Sequence, residues 1–96
     1  MKFLAVCGFG VGSSMVLKMT LDKVIKELGI AAETENTDIS SAKSEDADAY
    51  FTSAELQPDL ESSTTKPVIA IKRYMDASEV KQALVTLLNA QEGSER

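Results

Sequence analysis

Phe3-Leu4-Ala5-Val6-Cys7-Gly8-Phe9-Gly10-Val11-Gly12-Ser13-Ser14 decides how this chain is read. An apolar run ends in the only cysteine, alternating glycines follow, and a helical pattern begins near Met15. The reading is a buried strand, a tight loop and a helix N-terminus. A helix start carries unpaired N–H groups and the positive end of the macrodipole, so it favours an anion. Gly8, Gly10 and Gly12 permit positive φ and close backbone approach, and successive N–H groups then form a concave nest for an oxyanion. Cys7 stands at the mouth of that nest. The thiolate is the nucleophilic form of cysteine. A thiol beside an anion cradle suits phosphoryl transfer through sulfur.

Neighbouring readings fail at particular residues. A Walker loop requires Gly-Lys-Ser/Thr, whereas Ser13 follows Gly12 and the first lysine after the loop is Lys18. A dinucleotide fingerprint places glycines at its first, third and sixth positions, which Gly8, Gly10 and Gly12 do not satisfy. Low-molecular-weight cysteine phosphatases have a similar loop, with an arginine six residues after the cysteine; that position here is Ser13. The missing guanidinium argues for a loop that holds a phosphoryl group for transfer. The blander alternative makes Cys7 a small buried hydrophobe and the glycines a simple turn.

Leu4 to Met15, with its Cys-Gly-x-Gly-x-Gly-Ser-Ser-Met pattern, resembles the phosphocysteine loop of enzyme IIB components of the bacterial phosphoenolpyruvate-dependent sugar phosphotransferase system. It looks most like the ascorbate-type subunits, beside the galactitol and lactose/chitobiose groups. The resemblance implies a cytoplasmic subunit, associated with the inner face of the membrane through an enzyme IIC. Cys7 would accept a phosphoryl group from a phosphohistidine enzyme IIA and pass it to a sugar-like substrate, ascorbate-like in preference, held by enzyme IIC. Gly8, Phe9, Gly10, Val11, Gly12, Ser13 and Ser14 would form the phosphate-binding loop. The chain has no histidine, so the donor imidazole belongs to another polypeptide. A phosphatase-like hydrolase and a non-catalytic anion-binding module are the competing functions.

Composition sets outer bounds. Ninety-six residues make one domain with little core to spare. A net charge of −5 argues against nucleic acid as a partner. No apolar stretch approaches a membrane span, and the N-terminus lacks the pattern of a signal peptide. One cysteine and no histidine exclude a zinc cluster or a His-metal site, and no cofactor is expected. A lone cysteine without an export signal suits a reducing cytosol. The isolated protein is expected to be a monomer.

Along the chain, Lys2 to Val6 reads as a buried strand. A helix is expected from Ser13 or Ser14, either of which can cap it, to Leu28, with Gly29 as its stop. Leu17, Leu21, Val24, Ile25 and Leu28 recur at helical spacing and mark its core face. Met15 and Met19 read first as core or helix-top fillers, second as an adaptable docking surface. A polar edge strand is expected over Ile30 to Thr37, a polarity that discourages aggregation, then a short turn or helix over Asp38 to Lys43. Ala47 to Ser53 is the third strand, and Thr52 and Ser53 at its carboxyl end are candidates for contact with the loop, or for capping Ala54 to Leu60. Pro58-Asp59 reads as a turn or helix end.

Pro67 to Ile71 is the fourth strand, apolar as a buried parallel strand should be, with proline at its tolerated first position. Lys72, Arg73, Tyr74 and Met75 follow it, and Lys72 or Arg73 is a candidate to assist an incoming phosphoryl group. Asp76 or Ser78 should cap the last helix, with Glu79 in its first turn and Val80, Ala83, Leu84, Leu87 and Leu88 on its buried face. Gln91 to Arg96 is expected as a flexible tail. The alternation predicts an α/β fold: a four-stranded parallel sheet, order 2-1-3-4, with helices on both faces, similar to low-molecular-weight tyrosine phosphatases.

Overall fold

The computed structural model describes residues 1–8 and 12–94, with the side chains of 1–8 and 15–89. Its elements are β1 (Lys2–Cys7), α1 (Gly12–Leu28), β2 (Glu33–Asp38), α2 (Ile39–Ala42), β3 (Ala49–Thr52), α3 (Gln57–Glu61), β4 (Val68–Ala70) and α4 (Ala77–Ser94). The sheet has the order β2-β1-β3-β4 with every pairing parallel. Cys7 is in register with Asp38 of β2, and Ala5 with Phe51 of β3. The strand carrying the cysteine is therefore interior.

Alternation along β1 divides the core in two, because successive side chains point to opposite faces. Phe3 and Ala5 join Leu17, Leu21 and Val24 of α1 and Val80, Leu84 and Leu87 of α4 on one face. Leu4 and Val6 join Ala42, Tyr50, Leu60 and Val68 on the other, under α2 and α3. Phe3 meets Phe51 edge to face, with ring centroids 5.6 Å apart, a favoured aromatic geometry.

α1 ends as Gly29 dictates. Gly29 has φ +68°, its N–H donates to Lys26 O, and the Ile30 N–H donates to Ile25 O at 3.1 Å. This pair of bonds is the Schellman arrangement that a left-handed glycine permits. It also moves the start of β2. The strand begins at Glu33 rather than Ile30, because Ile30 completes the helix cap and packs with Ala32 against the α1 core. β2 then runs through Asp38, whose carboxylate caps α2 by accepting from the Ser41 N–H at 2.7 Å.

Other boundaries shift by a residue or two. α1 starts at Gly12, before either serine. β3 is Ala49–Thr52 and β4 is Val68–Ala70, although main-chain bonds from Tyr50 to Pro67 O and from Ile71 to Thr52 O extend their pairing. Pro58-Asp59 opens α3 instead of ending a helix, as suits proline in a first turn. Asp76, not Ser78, caps α4: its Oδ1 accepts from the Ser78 and Glu79 N–H groups at 2.9 and 3.2 Å. α4 continues to Ser94, past Gln91. Met15 and Met19 do not fill core gaps, since they are 49% and 66% exposed. No helix among the described residues is long and apolar enough to cross a membrane.

Candidate functional site

The carboxyl ends of the four parallel strands form one edge, where open α/β sheets bind ligands. β1 ends there in Cys7, which is 3% exposed and whose Sγ lies 3.7 Å from Thr37 O of β2. Gly8 follows, and α1 begins at Gly12. The chain thus passes from the end of an interior strand to a helix N-terminus within four residues, bringing the thiol and the positive end of a five-turn dipole into one neighbourhood. Gly8 does not use the left-handed region, and a Cβ there would stand at ordinary contact, 3.8 Å, from the Leu56 side chain. Phe9, Gly10 and Val11 lie outside the described residues, as do the side chains of Ser13 and Ser14; the backbone of Gly12, Ser13 and Ser14 forms the first turn of α1.

Thr52 is fully buried, and its Oγ1 donates to Val6 O at 2.9 Å. That bond continues the β1–β3 connection beyond its last register pair, up to the residue before Cys7. Ser53 begins the turn into α3, its carbonyl accepting from the Leu56 and Gln57 N–H groups. Its side chain hydrogen-bonds the phenol of Tyr74. Arg73 does not join this group. Its guanidinium is 80% exposed and pairs with Asp76 at 3.8 Å. Among the described residues no three His, Cys, Asp or Glu side chains gather as metal ligands.

Three residues that the sequence does not single out for a role hold the β4–α4 loop in place. Glu79, expected only as an acidic first-turn residue, turns its carboxylate back to accept from the Lys72 N–H at 2.7 Å and the Arg73 N–H at 3.0 Å. Thr20 stands on the apolar side of α1, and its hydroxyl donates to Tyr74 O at 2.5 Å, with Val16 O at 3.1 Å. A threonine between Leu17, Leu21 and Val24 is the signal that was available. Tyr74, half-buried against the α1 core, has its phenol pushed up from the ordinary range. Burial is the main cause; the Ser53 hydrogen bond opposes it, and charge on Cys7 and Glu55 adds to it.

Residues 2–85 match the family described as PTS system, lactose/cellobiose-specific IIB subunit. The chain is 31% identical over 90 residues to the ascorbate-specific PTS system EIIB component of Mycoplasma pneumoniae, covering 92% of this chain and 95% of that protein. The proteins of the same name from Shigella boydii and Salmonella typhi are each 26% identical over 91 residues, covering 93% of this chain and 90% of theirs.

Proposed function

Because the chain belongs to the lactose/cellobiose-specific IIB subunit family of the phosphotransferase system, we propose that Cys7 is its phosphoryl-carrying residue. The observation that carries this reading is the placement of Cys7 at the carboxyl end of interior strand β1, five residues before the start of α1 at Gly12. The Cys7 thiolate attacks the phosphorus of a phosphohistidine on enzyme IIA in line. The S–P bond forms as the P–N bond breaks, and the electron pair returns to the imidazole. In the second step a substrate hydroxyl oxygen attacks phosphorus, the sulfur leaves as thiolate, and the hydroxyl proton passes to water or to a base on the membrane partner.

Both steps ask for positioning and charge stabilisation. The backbone from Gly8 to Ser14 and the Ser13 and Ser14 hydroxyls would hold the non-bridging oxygens, with the α1 N-terminus behind them. Thr52 and Ser53 build the wall on the β3 side, while Arg73, paired with Asp76 outside this group, takes no part. The partners are enzyme IIA and a membrane enzyme IIC carrying the substrate, so the protein works at the cytoplasmic face of the membrane and is monomeric alone. The relatives' names favour ascorbate as that substrate. The exposed methionines offer the donor an adaptable apolar surface. Met19 precedes Thr20 and Met75 follows Tyr74, so the Thr20–Tyr74 bond brings both stretches together beside the site.

The test is incubation with phosphoenolpyruvate, the general phosphotransfer enzymes and candidate enzyme IIA proteins, followed by intact mass and mapping of the Cys7 peptide. One phosphoryl group on Cys7, absent from Cys7→Ser, is the expected result. An unmodified thiol with every active donor defeats the reading.

A further inference from the structure

The β4–α4 loop, Lys72 to Asp76, is tied down more fully than a surface loop requires. Loops are ordinarily the mobile parts of a fold. Here Glu79 takes the Lys72 and Arg73 N–H groups at 2.7 and 3.0 Å, and Thr20 of α1 donates to Tyr74 O at 2.5 Å. The Asp76 N–H closes the turn on Arg73 O at 3.0 Å, and the Asp76 carboxylate caps α4. The Tyr74 ring packs against the α1 core. Between these anchors stands Met75, 83% exposed. Fixing the backbone under an exposed apolar side chain loses conformational entropy and buries none of that side chain within the chain. The gain comes when a partner covers it, because a surface ordered in advance loses less freedom on binding.

The loop also leaves the sheet beside the strand that ends in Cys7. The Ile71 N–H donates to Thr52 O at 2.7 Å and the Thr52 hydroxyl to Val6 O at 2.9 Å, so two hydrogen bonds link the root of the loop to the residue before Cys7. The Thr20 bond sets Met75 together with exposed Met19 of α1. Lys72 is exposed at the same root. A cation there suits a soluble donor bearing an anionic phosphoryl group and opposes the Lys- and Arg-rich cytoplasmic loops of a membrane protein.

We infer that Thr20 and Glu79 are positioning residues for the donor: they hold the β4–α4 loop so that Met75 presents a preformed anchor to phosphorylated enzyme IIA. This rests on the carrier reading and adds to it where the donor is gripped and what keeps the grip in shape. Neither side chain touches the phosphoryl group. Both act through Met75.

The experiment follows phosphorylation of Cys7 in single turnovers against the concentration of phosphorylated enzyme IIA. The proteins are wild type, Thr20→Val, Thr20→Ser, Glu79→Gln, Met75→Ala and the double variant Thr20→Val/Met75→Ala. Thr20→Val, Glu79→Gln and Met75→Ala should each raise the half-saturating donor concentration about threefold or more while the maximal rate stays within about twofold of wild type. Thr20→Ser keeps the hydroxyl and should restore the wild-type value. The double variant should be no weaker than Met75→Ala alone, since residues that act as one unit do not add. Bonds that merely stabilise the fold would lower the amplitude and leave the half-saturating concentration unchanged. An unchanged value in Thr20→Val and Glu79→Gln, or effects that multiply in the double variant, overturns the inference while the carrier reading stands. So does normal charging of the variants joined to slower delivery from Cys7 to vesicles holding enzyme IIC and substrate, which assigns the loop to the membrane partner. Should Thr20→Val fail to fold, Glu79→Gln and its double with Met75→Ala decide. If no donor charges wild-type Cys7, the carrier reading falls and this inference with it.

Discussion

The hydroxyl of Thr52 donates to the main-chain oxygen of Val6 at 2.9 Å, in a fully buried contact that joins β3 to β1 one residue before Cys7. Thr52→Val keeps the shape and removes the donor, leaving a buried carbonyl without it. The expected loss is about 1–2 kcal/mol, a fall of roughly 5–15 °C in Tm for a domain of this size. Thr52→Ser, which retains the hydroxyl, should lose less. Thermal unfolding of the three proteins compares them directly; a Thr52→Val variant as stable as wild type would deny the bond its role.

Gly29 isolates a backbone effect. Its φ is +68° and nothing lies within 4 Å of where a Cβ would be. Gly29→Ala therefore meets no neighbour, and its cost is the left-handed conformation itself, about 1–2 kcal/mol. Urea unfolding should show a lower midpoint with an unchanged slope. An unchanged midpoint would contradict the cap.

Asp38 links stability to acid. The Ser41 backbone N–H, and secondarily the Ser41 side chain, hold its carboxyl below the ordinary 3.8. A carboxylate depressed in the folded state contributes stability above its unfolded pKa and loses it as pH falls through the folded value. Asp38→Ala should thus be less stable than wild type at pH 6, and the gap should narrow once the pH drops below about 3.8. Urea midpoints at pH 6, 4 and 3 measure it; a gap constant with pH would show the carboxylate charge to be irrelevant.

Met19 tests the donor surface. It is 66% exposed, so Met19→Glu should change stability by no more than about 0.5 kcal/mol. Placed in an apolar contact, the charge should slow phosphoryl transfer from enzyme IIA by roughly fivefold or more, the loss typical of a central interface residue. Stopped-flow or quenched-flow transfer kinetics give the answer, and an unaltered rate removes Met19 from the docking face.

What could be read in advance was what one periodicity or one special residue controls. The unbroken apolar run of Phe3, Leu4, Ala5 and Val6 predicted a buried strand, and the spacing of Leu17, Leu21, Val24 and Ile25 predicted the helix that covers it. Gly29 marked the end of α1 because few other residues accept its φ. The strand order came with the resemblance to the enzyme IIB and low-molecular-weight phosphatase folds; right-handed crossovers are compatible with it but do not fix it. The strand starts did not follow, since Ile30 reads as strand by type but is claimed by the helix cap. Exposure of Met15 and Met19 was equally hidden: methionine is as apolar on a surface as in a core, and only the packed structure assigns its face. The role of Thr20 depends on a partner 54 residues away, that of Glu79 on partners 7 and 6 residues away, and that of Tyr74 on Thr20 and the Ser53 contact. No local pattern encodes such pairings.

The connectivity of the sheet has a consequence for how the molecule comes into being. β1 lies between β2 and β3, and its residues pair with positions 33–38 on one side and 49–51 on the other. During synthesis the cysteine strand can acquire its first neighbour once β2 has emerged, but its second must wait for β3. Thr52 comes with that strand, and Tyr74 only after β4. Non-local parallel pairings of this kind form slowly. A chain arrested halfway owns its cysteine without the strands that bury it. The buried setting of Cys7 is thereby tied to completion of the fold, and a thiol in that setting reports a finished molecule.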